Sequence, residues 1–308
     1  MMIIDAHAHI FPQVHGMTAD GPTTGSGYGR VTAGSETIQL IPPYGLQTVF
    51  TPEMLIANLD WAGVDRAILL QGPFYGECNS YVLEALHQYP SRLSGVAYLD
   101  PWDDAAPGML EWVIAAQAFK GIKLECSVAT GLFGLHPQAN LAMPACDWVW
   151  SKLEAHGLTL VLDLGKPGSR SYQTQEVRAI AKSHPGLKIV IAHLGQPGPQ
   201  FEANPALWLE WQTQIELGHL PNVWFDCAAL PAYLPEEDFP YPSAGRYLRL
   251  AIERLGPGKI LWGTDQPGLL SHVDLPRLTK MVRQQTGFLS PADQARVLGE
   301  NAATVFNL

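Results

Sequence analysis

The sequence predicts an α/β protein built as a (β/α)8 (TIM) barrel, with insertions after the first, fourth and seventh strands and an additional C-terminal helix. Eight short apolar runs alternate with eight or more helical segments. The runs are almost continuously apolar, which is typical of parallel strands buried on both faces. The chain has 308 residues, a length at which barrels commonly form one domain, here residues 1–308. An open doubly wound sheet is the alternative, but the first turn lacks a glycine-rich phosphate-binding fingerprint.

Each predicted strand is a short apolar run with polar residues near its end. The first strand begins at Ile3 and Ile4, and the other seven are Arg66–Gln71, Leu93–Asp100, Phe119–Cys126, Leu158–Leu164, Leu187–His193, Asn222–Cys227 and Lys259–Asp265.

The predicted helices have recognisable ends. Thr51 can cap the first helix, Pro52 fits its first turn, and Gly63 ends it. Further helices are expected at Cys78–Gln88, from Asp103 or Asp104 to Gln117, and at Met143–His156, Gln173–Ser183, Pro205–Leu217, Ser243–Leu255, Val273–Gln285 and Ser290–Phe306. The three insertions are Phe11–Phe50, Ser127–Leu141 and Leu230–Pro242. We expect the first of these, rich in Gly, Pro and Thr, to be an irregular lid.

The composition of the chain indicates which binding partners and which cellular setting to expect. The formal net charge is -10 and no basic run is present, which argues against nucleic acid and anionic membranes as partners. The four cysteines, Cys78, Cys126, Cys146 and Cys227, are scattered. A reduced, cytoplasmic setting is therefore expected. The N-terminus has no basic region ahead of a long apolar run, so no signal peptide is expected. No apolar stretch approaches the roughly 18 residues of a membrane span.

The first strand carries two histidines with one residue between them. His7 and His9 are separated by Ala8, and residues i and i+2 of a strand point to the same face. Neutral imidazole is the commonest protein ligand for zinc-type metals. The pair therefore predicts a metal site, the alternative being two unrelated histidines at a solvent-facing strand end.

Other strands end in ionisable residues as well. Barrel enzymes place their chemistry at the carboxyl ends of strands, and charged groups there are costly to bury unless they are paired or bind a metal. The candidates are Lys123 and Glu125 on the fourth strand, Asp163 on the fifth, His193 on the sixth, Asp226 on the seventh and Asp265 on the eighth. In a closed barrel the eighth strand is next to the first, which places Asp265 beside His7 and His9.

Structural roles are open for several of these residues. Asp163 or Asp226 could cap the following turn. His193 could be a core histidine satisfied by a backbone carbonyl, and Lys123 and Glu125 could form a structural ion pair in the barrel mouth.

Five motifs in order resemble the amidohydrolase superfamily. They are Asp5-Ala6-His7-Ala8-His9, Gly121-Ile122-Lys123-Leu124, Ala192-His193-Leu194-Gly195, Trp262-Gly263-Thr264-Asp265-Gln266-Pro267 and Leu298-Gly299-Glu300-Asn301-Ala302-Ala303. Within the superfamily, the chain is most similar to the amidohydrolase-related branch. That branch holds aminocarboxymuconate-semialdehyde decarboxylases and lactonase-like metal-dependent hydrolases. The resemblance covers essentially the whole chain.

The resemblance implies roles for individual residues. His7, His9 and Asp265 would bind a divalent metal, usually zinc, with Mn²⁺ or Fe²⁺ as alternatives. Asp265 would also take a proton from water, and His193 would orient substrate or water, or polarise a carbonyl. Decarboxylase-like members usually have a histidine ligand where this chain has Asp163, whereas lactonase-like members often have an acidic residue there. Glu125 and Asp163 are therefore expected to complete the metal shell.

These observations lead to three functional hypotheses. The first is a metal-dependent hydrolase of a small carboxylated lactone or amide, with Asp265 as general base and Lys123 or Arg30 binding a substrate carboxylate. The second is a non-oxidative decarboxylase of an unsaturated or aromatic acid. The third is a barrel that binds a ligand without catalysis. The resemblance also implies a homodimer.

Overall fold

The computed structural model describes residues 1–308, and eight parallel strands form its central barrel. These strands are β1 (Ile4–Ala8), β6 (Arg66–Leu69), β7 (Leu93–Tyr98), β8 (Phe119–Glu125), β9 (Thr159–Asp163), β10 (Ile189–Ile191), β11 (Val223–Asp226) and β12 (Ile260–Leu261). In the order given, each of these eight strands pairs in parallel with the one that follows it in this list, as the sequence predicted.

Backbone hydrogen bonds join the last strand to the first. The amide of Ala6 donates to the carbonyl of Trp262 at 2.9 Å, and the amide of Asp265 donates to the carbonyl of His7 at 2.7 Å. The amide of His9 donates to the carbonyl of Gln266 at 2.7 Å. The sheet therefore closes, the open doubly wound alternative is wrong, and Asp265 lies next to β1.

Helices alternate with the strands and lie close to their predicted positions. They are α1 (Pro52–Ala62), α2 (Asn79–Gln88), α3 (Ala106–Ala116), α4 (Leu132–Leu135), α5 (Asp147–Ala155), α6 (Thr174–Ser183), α7 (Pro199–Glu202), α8 (Pro205–Ile215), α9 (Pro242–Leu255), α10 (Leu275–Gln285), α11 (Pro291–Ala295) and α12 (Asn301–Val305). The Thr51 hydroxyl accepts from the amide of Met54, and Gly63 follows α1 with φ 65°, so both predicted ends are confirmed. None of the helices combines the length and apolar character needed to cross a membrane.

The first insertion is folded, which differs from the irregular lid that we expected. It forms an antiparallel sheet in the order β2 (Met17–Thr18), β3 (Gly21–Gly27), β4 (Arg30–Ala33) and β5 (Glu36–Gln39). The β3–β4 turn needs Gly29, whose φ is 75° and where an added Cβ would lie 2.3 Å from the carbonyl oxygen of Ile41. Glycine-rich composition therefore marked tight turns between short strands, rather than an unstructured loop.

The barrel interior is apolar at one end and polar at the other. Its apolar layer includes Ile4, Val96, Val161 and Val190 and is closed from below by Phe306 of the C-terminal segment. Along β9, Val161 and Asp163 share a face because strand residues alternate. The inner face of the barrel thus changes from apolar to charged toward the carboxyl ends of the strands, which positions the site.

Candidate active site

A cavity of about 600 Å³ opens at the carboxyl ends of the barrel strands. Six of the eight residues predicted for the site line it: His9, Lys123, Glu125, Asp163, His193 and Asp265. His7 is fully buried beneath them. The first insertion contributes Ile38 of β5 and the following Leu40 to the wall, so this segment borders the cavity as a lid would.

A carboxylate on a neighbouring part of the barrel holds His7 in one tautomer. The pairing register of β1 shifts between Asp5 and Ala8, and His7 points into the barrel. Its Nδ1 lies 3.0 Å from a carboxylate oxygen of Asp226, which fixes the proton on Nδ1 and leaves the Nε2 lone pair facing the cluster. Burial, together with the nearby charge of Lys123, lowers the pKa of His7 to about 4.

His9 is oriented in the same way by a backbone group. Its Nδ1 lies 2.6 Å from the Leu70 carbonyl oxygen, and its Nε2 lies 2.9 Å from Oδ1 of Asp265. Burial lowers the pKa of His9, so the ring is neutral and its proton is on Nδ1. A lone pair of Nε2 then faces a carboxylate oxygen at hydrogen-bond distance with no proton between them.

Asp265 is held in an unusual backbone conformation. Its φ is 65°, in the left-handed region that Asp and Asn tolerate better than most residues. Burial would raise the pKa of Asp265, but the positive charge of the nearby His193 ring opposes burial, and the pKa lies well below its usual range. The carboxylate is therefore ionised and available as a base at neutral pH.

The donor set of this cluster fits a divalent metal. Nε2 of His9 and Nε2 of His7 lie 2.9 and 3.6 Å from Oδ1 of Asp265, and a cation accepted by all three would relieve the repulsion between their lone pairs. Two histidines and one carboxylate are a common ligand set for catalytic metals. A ligand atom of His193 also lies within 4.8 Å of those of His7 and Asp265, but both nitrogens of His193 already have partners. His9 is not in that group of three, so an ion held by His7, His9 and Asp265 stays a prediction.

Lys123 already places a cation beside this cluster. Its Nζ lies 3.2 Å from Nε2 of His7 and 3.6 Å from a carboxylate oxygen of Glu125. An ion held by His7 would require the ammonium to turn toward the cavity, which the flexible lysine stem allows. The predicted ion pair between Lys123 and Glu125 is present, and it borders the cavity rather than serving only the barrel wall.

His193 is a buried cation in this structure. Its Nε2 lies 3.1 Å from a carboxylate oxygen of Asp163, and its Nδ1 lies 3.3 Å from the Ala228 carbonyl oxygen. Burial would lower its pKa, but the charge of Asp163 outweighs burial and raises the pKa to about 10. Residues 193–196 all have positive φ, a strained turn of the kind that clusters at functional sites.

Asp163 and Glu125 do not join the metal cluster as predicted. Asp163 accepts from Gly165, Gln196 and His193, while Glu125 accepts from the Ser127 hydroxyl at 2.7 Å. With these partners, both carboxyl groups lie outside the group of close ligand atoms formed by His7, His193 and Asp265.

Arg30 lies away from the cavity. It is exposed on β4, where its Nε donates to the Gly27 carbonyl oxygen at 3.4 Å. The lysine that does line the cavity mouth is Lys166, after β9, with Ser127, Thr130 and Ser169 around the same opening. Sequence reasoning missed Lys166 because it follows the strand end by three residues, in a loop that carries no periodic signal.

Asp5 is a second residue that sequence reasoning left without a role. This buried carboxylate accepts from the amide and hydroxyl of Thr264, the side-chain amide of Gln266 and the amide of His7. It therefore ties β1 to the segment that carries Asp265. Burial raises the pKa of Asp5 to about 6, and its four donors favour the charged form at neutral pH.

Asp5→Asn is expected to lower the free energy of unfolding by about 1–3 kcal/mol, because an amide NH₂ would face groups that are themselves donors. Urea unfolding followed by tryptophan fluorescence measures this change. Asp104→Asn, at an exposed site, is the matched control. Equal stability of the two variants would show that Asp5 is not a tether.

The comparisons with known proteins assign the family. The amidohydrolase family model matches residues 4–308. The chain belongs to the amidohydrolase family. This confirms the resemblance stated from the five motifs. Among curated proteins, none matches the chain.

Solved structures with the same fold include hydrolases and decarboxylases. A probable 2-pyrone-4,6-dicarboxylic acid hydrolase from Acinetobacter baumannii, with citric acid bound, is 21% identical over 100% of both chains with a TM-score of 0.70. An amidohydrolase from Burkholderia multivorans with bound zinc is 17% identical over 100% of both chains, with a TM-score of 0.72. The 5-carboxyvanillate decarboxylase from Sphingomonas paucimobilis is 19% identical over 82% of both chains, with a TM-score of 0.57. At these identities the likeness shows the (β/α)8 barrel fold of this amidohydrolase.

Proposed function

We propose that this amidohydrolase is a metal-dependent hydrolase of a small carboxylated lactone. The observation that carries the proposal is the position of the Asp265 carboxylate, ionised, in contact with two correctly oriented histidines and exposed to the cavity through about 28% of its side chain. A base in this position can reach a water molecule in the cavity while the histidines stay fixed beneath it.

Asp265 takes a proton from the water that attacks the lactone carbonyl. Its oxygen Oδ1 faces Nε2 of His9, which leaves the second oxygen to accept the proton of water. His9 and His7 keep the carboxylate in place through contacts that are themselves anchored by Leu70 and Asp226. His7, His9 and Asp265 are the residues that would hold a divalent ion, which would supply Lewis acidity toward water and the carbonyl oxygen.

Lys123 is the group that polarises the carbonyl. The expected donor was His193, but both of its nitrogens face acceptors, Asp163 and Ala228. Lys123 borders the same cavity, and its ammonium can donate to the oxygen that becomes negative as water adds. His193 contributes a fixed positive charge beneath the site.

Lys166 binds the carboxylate of the substrate. It makes no ion pair with an acidic residue, unlike Lys123, and it lines the cavity mouth beside hydroxyl groups. A carboxylate near Lys166 points the rest of a small ring toward Asp265. The hydrolase from Acinetobacter baumannii is named for a carboxylated lactone and was crystallised with a carboxylic acid, which supports this substrate class.

The function is tested with purified enzyme on a panel of lactones with and without a carboxylate. We expect hydrolysis of the carboxylated members and at least a tenfold loss of kcat after metal removal with a chelator, restored by Zn²⁺. Lys166→Met should raise KM for carboxylated lactones more than it lowers kcat. Full activity of metal-free protein would exclude the metal mechanism, and no hydrolysis across the panel would exclude the lactonase.

Non-oxidative decarboxylation is the second candidate. It needs an acid that protonates the carbon losing carbon dioxide, and the cavity contains the buried carboxyl of Glu125, whose pKa burial and the charge of Asp163 raise to about 8. Release of carbon dioxide from an aromatic or unsaturated acid would identify this reaction, since lactone opening consumes water and releases a proton instead.

A further inference from the structure

Two carboxyl groups on adjacent strands share one side of the cavity. Glu125 of β8 and Asp163 of β9 are paired in register, so their side chains leave the barrel wall next to each other. Both line the cavity, and two negative charges side by side in a buried site would repel each other. Because two adjacent buried carboxyl groups are costly to ionise together, one of them carries a proton.

The surroundings decide which carboxyl carries the proton. Asp163 has three donors, from Gly165, Gln196 and the cationic ring of His193, at 3.0–3.1 Å. Glu125 has one hydroxyl donor, Ser127, at 2.7 Å, and Lys123 stands off at 3.6 Å. Because the charged form is stabilised far better at Asp163, the proton resides on Glu125.

The protonated carboxyl lies across the site from the base. Lys123 is between them, since its Nζ contacts Glu125 on one side and His7, next to Asp265, on the other. A carbonyl bonded to Lys123 therefore has a base on one side and an acid on the other. This is the arrangement that bond cleavage needs when the leaving group is an alkoxide.

From this geometry we infer that Glu125 is the general acid that protonates the leaving oxygen of the substrate, a step that rests on the proposed lactone hydrolysis. Water adds to the carbonyl and gives one proton to Asp265. The ring carbon–oxygen bond then breaks, and the ring oxygen takes the proton of Glu125 to become a hydroxyl. Glu125 regains a proton from solvent at the cavity mouth, and Asp265 releases the one it took from water, so these two transfers cancel. The new carboxylic acid then ionises, and one lactone and one water give a hydroxycarboxylate and a proton.

A general acid at this position suits one class of substrate. An aliphatic lactone leaves as a strongly basic alkoxide and needs an acid, whereas an aryl ester leaves as a stabilised phenolate and does not. The structure thus favours aliphatic lactones whose ring oxygen points to Glu125.

Glu125→Gln tests the acid directly, because glutamine keeps the shape of the side chain but has no acidic proton to transfer. We expect kcat for a carboxylated aliphatic lactone to fall by about 10²–10⁴, and kcat for a carboxylated nitrophenyl ester to change less than about tenfold. Glu253→Gln, at an exposed position of α9 outside the cavity, is the matched control. Equal losses on both substrates, or no loss on either, would overturn the inference.

A pH profile gives an independent readout if the glutamine variant does not fold. Besides Lys123 and Asp163, the titratable groups near Glu125 are Tyr75, Tyr233 and Cys126, all with pKa values raised by burial and hence neutral in this range. Activity on the aliphatic lactone should fall above about pH 8, the value to which burial and Asp163 raise the pKa of Glu125. Ser127→Ala removes a bond that stabilises the ionised form, so this basic limb should move to higher pH.

The outcomes separate this inference from the proposed function. A wild-type enzyme that hydrolyses neither substrate contradicts the lactonase itself. A wild-type enzyme that hydrolyses both, together with a Ser127→Ala variant whose basic limb does not move, contradicts only the role of Glu125.

Discussion

Asp265→Asn is expected to lower kcat for lactone hydrolysis by about 10²–10⁴, the contribution of a positioned general base. The amide cannot accept a proton from water at neutral pH, and it is a poorer metal ligand than a carboxylate. Packing should be kept, because asparagine has nearly the same size and also tolerates the positive φ of 65° at this position. KM should change less, because Lys123 and Lys166 would still bind the substrate.

The measurement is steady-state kinetics at saturating Zn²⁺, with metal content determined on the same samples. Asp104→Asn, on the exposed surface, controls for loss of one negative charge. A variant that keeps more than about a tenth of wild-type kcat would show that Asp265 is not the general base, since a tenfold change in kcat is only about 1.4 kcal/mol of activation free energy.

Strand periodicity made the inner face of the site predictable. Lys123 and Glu125 alternate with buried apolar residues of β8, so a period of two was enough to place both on one face. The pairing of β12 with β1 likewise follows from a closed barrel, and it brings Asp265 to His9. These predictions needed only local pattern and the topology of the barrel.

The contacts between strand ends could not be predicted in the same way. That Asp226 rather than solvent meets Nδ1 of His7 depends on the register shift in β1, which leaves no mark on the hydrophobic pattern. Arg30 was expected at the cavity because the first insertion was predicted to be an irregular lid. The insertion is an antiparallel sheet instead, which brings Ile38 to the cavity while Arg30 stays exposed. Side chains on loops are positioned by tertiary contacts, and local sequence does not encode those contacts strongly.

Replacing His7 and His9 together with alanine is expected to abolish metal binding while the barrel stays folded. Loss of even an outer hydrogen-bond partner of a metal ligand lowers affinity by about 10–100-fold, so loss of two ligands should lower zinc affinity by more than about 100-fold. The fold should survive because both rings lie at the polar end of the barrel, whereas the apolar layer around Val161 and Phe306 is untouched. Each truncation leaves one buried acceptor without its donor: Asp226 for His7 and the Leu70 carbonyl for His9. We expect each loss to lower the free energy of unfolding by about 1–3 kcal/mol.

Zinc titration with a competing chromophoric chelator measures the affinity, and far-UV circular dichroism and thermal melting measure the fold. His156→Ala with His219→Ala removes two imidazoles from the exposed surface and should change neither. A double His7/His9 variant that binds zinc as tightly as the wild type would place the ion elsewhere, with the carboxylates of Asp163 and Glu125 as the next ligands to test. Loss of helical and strand signal at room temperature would instead show that the two histidines hold the strand ends together.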